Sequence, residues 1–115
     1  MRKTIFLDID GTLIRHHNRG LSAILTETPE LLQGTIEKLN EWEAKGYTII
    51  LCTGRAESMR EFTKRQLDEL GVFYSQLLMG ISGDRVLVND QKPDGRSAAF
   101  AINIPRNVGI EEIDI

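Results

Sequence analysis

The chain has 115 residues, 41% of them hydrophobic and 27% charged, the size and make-up of one small globular domain, residues 1–115. Its net charge is −3, and Lys and Arg are scattered rather than gathered in a stripe, so no nucleic-acid partner is expected. No apolar run is long enough to span a membrane, and Asp8 and Asp10 interrupt the run behind Met1-Arg2-Lys3, so no signal peptide is expected either. The single Cys52 excludes an internal disulfide and fits a reducing cytoplasm.

Thr4-Ile5-Phe6-Leu7 is apolar, rich in β-favouring residues and too short for a helix, so it reads as a buried strand of a parallel sheet. It runs into Asp8-Ile9-Asp10-Gly11-Thr12. In a strand the carboxylates of Asp8 and Asp10 point to one side, about 7 Å apart. Gly11 permits a sharp turn. Two carboxylates so placed repel, and the oxygen-only character suits a hard cation such as Mg²⁺. A solvated strand-end turn accounts for Asp10-Gly11 but leaves Asp8 unexplained. Residues 15–28 are polar and read as a loop over this strand end, with His16 and His17 as solvated members.

Thr28-Pro29-Glu30 carries the signals of a helix start, and Leu32, Ile36, Leu39 and Trp42 follow at helical spacing up to Lys45-Gly46. Residues 47–52 read as a second buried strand, with Cys52 a strand residue rather than a nucleophile. Thr53-Gly54-Arg55 follows, then a helix from about residue 56 to Leu70, closed by Gly71. Residues 76–79 read as a third strand, 85–88 as a fourth ending at Asn89-Asp90, and 98–102 as a fifth. The acidic and apolar tail, 110–115, leaves two options open: an edge strand or an oligomer contact. Strands alternating with helices give an α/β fold with a doubly wound, mainly parallel sheet. In such sheets ligands bind beyond the carboxyl ends of the strands. Asp8/Asp10, Thr53 and Asn89/Asp90 all fall at predicted strand ends.

Thr53-Gly54-Arg55 at a strand-to-helix turn offers a hydroxyl, a close backbone approach and free N–H groups, an anion cradle. An ordinary helix cap explains the same residues when they are taken alone.

Together these stretches resemble the haloacid dehalogenase-like (HAD) superfamily. Asp8-Ile9-Asp10-Gly11-Thr12 resembles its first motif, Thr53-Gly54-Arg55 its second and Asn89-Asp90 its acidic fourth, with Asn in the first position. The resemblance covers residues 4 to about 103 and implies a Rossmann-like core. Because one helix and one strand fill most of the chain between Asp10 and Thr53, it implies a member without a cap domain. It further implies a phosphatase working through an aspartyl-phosphate. Asp8 is then the nucleophile, Asp10 the general acid/base, and Gly11, Thr12, Thr53, Gly54 and Arg55 the phosphate-binding residues. Mg²⁺ is then held by Asp8, Asp90 and the backbone carbonyl of Asp10, with the Asn89 carbonyl as a neutral ligand or the partner of a ligating water. Small members tied to capsule and sugar-phosphate biosynthesis suggest a phosphorylated small molecule, such as a sugar phosphate, as substrate.

The third motif departs from the pattern. Those small members carry Lys after a Gly at the end of the third strand, whereas Gly80 is followed by Ile81 and Ser82. Arg85 starts the predicted fourth strand, roughly 13 Å below its active end, and Lys64 lies roughly 12 Å down its helix. Lys92 is therefore the expected substitute cation, with Arg55 second. The missing lysine also keeps a non-catalytic phosphate-binding module in view. A phospho-acceptor signalling domain fits less well, since residues 76–80 contain no Asp. An active site without a cap is open, so it takes a large substrate or is closed by a neighbouring subunit.

Overall fold

A computed structural model describes residues 2–115. The elements run β1 (Thr4–Leu7), α1 (Leu21–Thr26), α2 (Thr35–Ala44), β2 (Thr48–Cys52), a 3-10 turn (Glu57–Met59), α3 (Arg60–Leu70) and β3 (Gln76–Leu78). The three strands form one parallel sheet in the order β1-β2-β3, with Ile5 opposite Ile49, Leu7 opposite Leu51 and Leu51 opposite Leu77. This is the α/β fold with a parallel sheet that the pattern of apolar runs predicts, and the Rossmann-like core that the family resemblance implies.

The crossovers β1-α2-β2 and β2-α3-β3 join neighbouring parallel strands in one direction. Right-handed crossovers then set α2 and α3 on the same face of the sheet. Burial agrees. Ile5, Leu7, Ile49, Leu51 and Leu77 share a core with Leu39 and Trp42 of α2 and Leu67 of α3. On the opposite face Phe6 is 55% and Leu78 37% exposed. Alternation along each strand makes one face fit the helices and leaves the other open.

Three expectations are corrected. The predicted fourth and fifth strands do not form: residues 85–88 and 98–102 lie in no strand, with Val86 and Val88 about nine-tenths exposed. Strand propensity needs a neighbouring strand to express itself, and this chain brings none alongside them. Thr28-Pro29-Glu30 does not start α2. Residues 30–32 are held against residues 13–15, where Arg15 N–H donates to Glu30 O at 2.9 Å and Leu32 N–H to Leu13 O at 2.9 Å. The helix begins six residues after Pro29, at buried Thr35, whose hydroxyl donates to the Leu13 and Leu32 carbonyls. The tail does not form an edge strand: Ile110 is fully buried in this chain's core and Ile113 and Ile115 pack against it, while Glu111, Glu112 and Asp114 are exposed.

Gly34 carries the turn into α2 at φ +86°, and a Cβ there would lie 2.5 Å from the Glu111 backbone. Gly46, after α2, also has positive φ, but its Cβ direction is open. Gly46→Ala is expected to cost about 1 kcal/mol. Gly34→Ala is expected to cost more, since the tail must also be displaced. Urea denaturation of the two variants measures the difference.

Candidate active site

The first motif turns as its sequence requires. Beyond β1 the N–H groups of Leu13 and Ile14 both point to the Ile9 carbonyl, at 2.9 and 3.1 Å, and Gly11 takes φ +90°. Ile9 is fully buried, while Asp8 and Asp10 on either side of it are half-buried at the carboxyl edge of the sheet. Burial pushes the Asp8 carboxyl above the ordinary carboxylate range. Arg85 and the Ile9 backbone N–H pull it back, and the charge on Asp10 adds to the rise.

Arg55 joins the first motif to the second. Its Nε donates to Asp10 Oδ2 at 2.9 Å and its Nη2 to Asp10 Oδ1 at 2.8 Å, a bidentate pair. Its Nη1 donates to Thr63 Oγ1 and Gln66 Oε1 of α3, at 3.1 and 2.8 Å. The side chain is 2% exposed. Thr53, fully buried, accepts the Arg55 N–H on Oγ1 at 3.1 Å, and its carbonyl accepts the Ile81 N–H at 2.8 Å. The anion cradle at a helix start is therefore altered. A 3-10 turn intervenes before α3, and the Arg55 N–H is already taken by Thr53.

Two of the three polar strand ends meet at this edge, and the third does not. Asn89 and Asp90 are exposed on the projecting segment, and the described residues hold no group of three or more His, Cys, Asp or Glu placed to bind a metal. The physical reason is the missing fourth strand, which leaves nothing to carry Asp90 alongside Asp8.

The substitute cation is also reassigned. Lys92 is exposed in the turn at the end of that segment, where its N–H donates to Arg96 O at 2.9 Å, and it enters no ion pair among the described residues. Arg85 instead lies with Nη2 3.5 Å from Asp8 Oδ1 and 3.0 Å from Ile81 O. Only a strand starting at the far edge would hold Arg85 away from Asp8. Without that strand, Arg85 follows Ile81 directly at the active edge.

Two residues escaped the sequence reading. Asn107 N–H donates to Gly11 O at 2.9 Å, and its side chain pairs with both the N–H and the carbonyl of His16. Arg106 lies over Gly11, its Cγ 3.2 Å from where a Cβ would be, and bonds Asn18. Pro105-Arg106-Asn107 carries only an ordinary turn signal, so nothing in the sequence announces this return. The His16-His17 loop lines a shallow cavity with Asp10 and Arg55, over the first motif as expected.

Removing Arg55 leaves Asp10 with no guanidinium partner and strips the buried acceptors of Thr63 and Gln66 of their donor. Arg55→Met is expected to destabilise the protein by about 3–5 kcal/mol in denaturant titrations. Asp8 behaves oppositely. Its folded-state pKa is raised, so its ionisation costs stability as pH rises from the unfolded value toward the folded one. Asp8→Asn is expected to melt above the parent chain at pH 7. The gap should close below about pH 4, where Asp8 is neutral in both states.

The family model for the polynucleotide kinase PNKP phosphatase domain (HAD_PNKP) matches residues 2–96. The structure is similar to a chain in the Pnkp1/Rnl/Hen1 complex, at 30% identity and a TM-score of 0.60, over 74% of this chain and 30% of that one. A chain in the Pnkp1/Rnl/Hen1 RNA repair complex also matches at 30% identity, with a TM-score of 0.58, over 80% of this chain and 28% of that one. The chain thus spans under a third of the length of those two proteins. A protein from Vibrio cholerae shares the fold over 98% of this chain and 90% of its own, at 21% identity and a TM-score of 0.59. No curated protein sequence matches. With the match running through Asp8, Asp10, Thr53 and Arg55, the chain belongs to the HAD-like hydrolases of the PNKP phosphatase-domain family.

Proposed function

We propose that this single-domain chain, residues 1–115, is a phosphomonoesterase working through an aspartyl-phosphate on Asp8. The observation that carries the reading is the Arg55–Asp10 pair beside a half-buried Asp8, which joins two motifs in one site. An Asp8 oxygen attacks phosphorus in line, and the bond from phosphorus to the leaving oxygen breaks. Asp10, with one oxygen released from Arg55, gives the leaving oxygen a proton. Asp10 then takes a proton from water as the water attacks phosphorus, the Asp8–phosphorus bond breaks, and inorganic phosphate leaves. Arg85 beside Asp8 offers charge to the phosphoryl oxygens, and the Thr53 hydroxyl and the Gly54 backbone line their side, whereas the expected Gly11 and Thr12 N–H groups are already given to the Ile14 and Ile9 carbonyls.

Mg²⁺ is the cofactor this family resemblance implies, and its chemistry would be to neutralise phosphoryl oxygens. One chain does not fit it fully. Asp90 stands apart on the projecting segment, so Asp8 is the one carboxylate left to hold the ion beside the Asp10 backbone carbonyl, while Arg55 engages both oxygens of the Asp10 side chain. The same observation favours a second reading, a phosphate-binding module without turnover. As substrate we propose a phosphorylated small molecule such as a sugar phosphate. The names of the relatives bring in the terminal phosphate of an oligonucleotide as the competing class. No helix among the described residues is long and apolar enough to cross a membrane, and the lone buried Cys52 suits a reducing compartment, for which we propose the cytoplasm.

A phosphate-release screen over both substrate classes tests the reading. Turnover is expected with Mg²⁺, lost on chelation and restored by Mg²⁺. Asp8→Asn is expected to lose at least about 10³-fold in kcat while remaining folded. Binding without release across the whole panel would move the reading to the binding module.

A further inference from the structure

The sheet is unfinished in two ways. β1 lies at its edge, and no strand among the described residues pairs with its outer side. The face bearing Phe6, Ile50, Cys52 and Leu78 is only partly covered, with Cys52 buried, Ile50 half-buried, Phe6 55% and Leu78 37% exposed, whereas parallel sheets are ordinarily covered on both faces. Meanwhile residues 83–102 leave the body as an arm. It runs out and back, with residues 87–91 beside 97–99 and a turn at 92–96, and it stretches the molecule to 50 Å against 28 and 25 Å. Val86, Leu87, Val88, Phe100 and Ile102 on it are 57–91% exposed.

The arm cannot fill the vacant place beside its own β1. Its root is fixed at the carboxyl edge, where Gly80 N–H donates to Arg55 O and Ile81 N–H to Thr53 O, both at 2.8 Å. Its far end is fixed at the same edge by Asn107 N–H on Gly11 O. A parallel strand outside β1 would have to begin at the opposite edge, roughly 13 Å down and two strand spacings across. Four residue steps from Ile81 to Arg85 reach at most about 14 Å in a straight line. Arg85 is moreover folded back onto the Ile81 carbonyl at 3.0 Å. An antiparallel seat is within reach, but it carries Asp90 to the wrong edge.

We propose that the arm is exchanged between two copies of this chain. Residues 85–88 pair parallel to the outer side of the partner's β1, and the apolar side chains of the arm cover the exposed part of the partner's open sheet face, around Phe6 and Leu78. Asn89 and Asp90 thereby arrive beside the partner's Asp8 and Asp10. Each copy gives and receives one arm, a low-cost route to a closed dimer. An arm of roughly twenty residues matches the 20–30 residues a side of a standard interface. Main-chain pairing at the open edge supplies the register. The exchange provides the carboxylate that one chain lacks for Mg²⁺, and in that respect it rests on the functional reading above.

Three measurements on the full chain test this. Light scattering after size exclusion is expected to give a dimer mass, and a monomer overturns the proposal. Val86→Asp with Val88→Asp, verified as folded by circular dichroism, is expected to give a monomer, and a persisting dimer overturns the arm as its contact. Thr4→Cys chains mixed with Val86→Cys chains and a short bis-maleimide are expected to cross-link between chains; cross-linking of either chain only to itself overturns the exchange. These readouts stand whether or not the protein is a phosphatase. Where turnover is found, mixing Asp8→Asn and Asp90→Asn chains is expected to restore about a quarter of the wild-type rate, because half of the dimers are mixed and each has one intact site. Turnover in a monomer, or a mixture as inactive as its parents, overturns the shared site.

Discussion

The Arg55 guanidinium holds both oxygens of Asp10 and at the same time two side-chain oxygens of α3. Through this one group the end of β1, the turn after β2 and the inner face of α3 are fixed relative to one another. The guanidinium is almost sealed from water while Asp10 stays half-buried, and the desolvation of Arg55 is offset because all of these donor and acceptor directions are matched. Thr53 adds the backbone side of the same junction, accepting from Arg55 and, through its carbonyl, holding Ile81. The site is thus built as part of the packing between strand ends and helix, with Asp8 left half-buried beside it.

That junction also decides where the rest of the chain can go. Because Gly80 and Ile81 are tied to the second motif, the chain after β3 starts at the active edge. Arg85 therefore meets Asp8, and the arm beyond it has no path to the vacant side of its own sheet. The open sheet face, the exposed arm and the two-carboxylate site are three consequences of one short tether. An arm seated on a second copy resolves all three, and it puts the subunit contact and the completion of the site on the same residues.

The opposing behaviour of the two aspartates follows from their neighbours. Asp10 is matched atom for atom by a buried guanidinium. Asp8 faces Arg85 at the longer distance of 3.5 Å, with burial working against its charge. A carboxylate held at such a cost is more readily neutralised by a phosphoryl group or a cation than one already satisfied. That separation of roles suits a nucleophile beside an oriented acid/base.

The sequence by itself determined the parallel α/β core, because short β-rich runs and amphipathic segments with Gly ends specify their elements locally. The Gly at position 71 stops α3 in the left-handed conformation, and Gly11 turns the first motif, as read. The Asp8/Asp10 pair and Thr53-Gly54-Arg55 were legible because strand ends in such sheets point to one edge. Tertiary structure alone decided which cation meets which carboxylate, since that depends on where Ile81 is anchored rather than on residue spacing. It also decided that Arg106 and Asn107 return over Gly11 from more than 90 residues away. Residues 85–88 and 98–102 have strand composition, but a strand exists only where a neighbour accepts its hydrogen bonds. Whether one chain can supply that neighbour is set by the length of a tether, which no local pattern encodes.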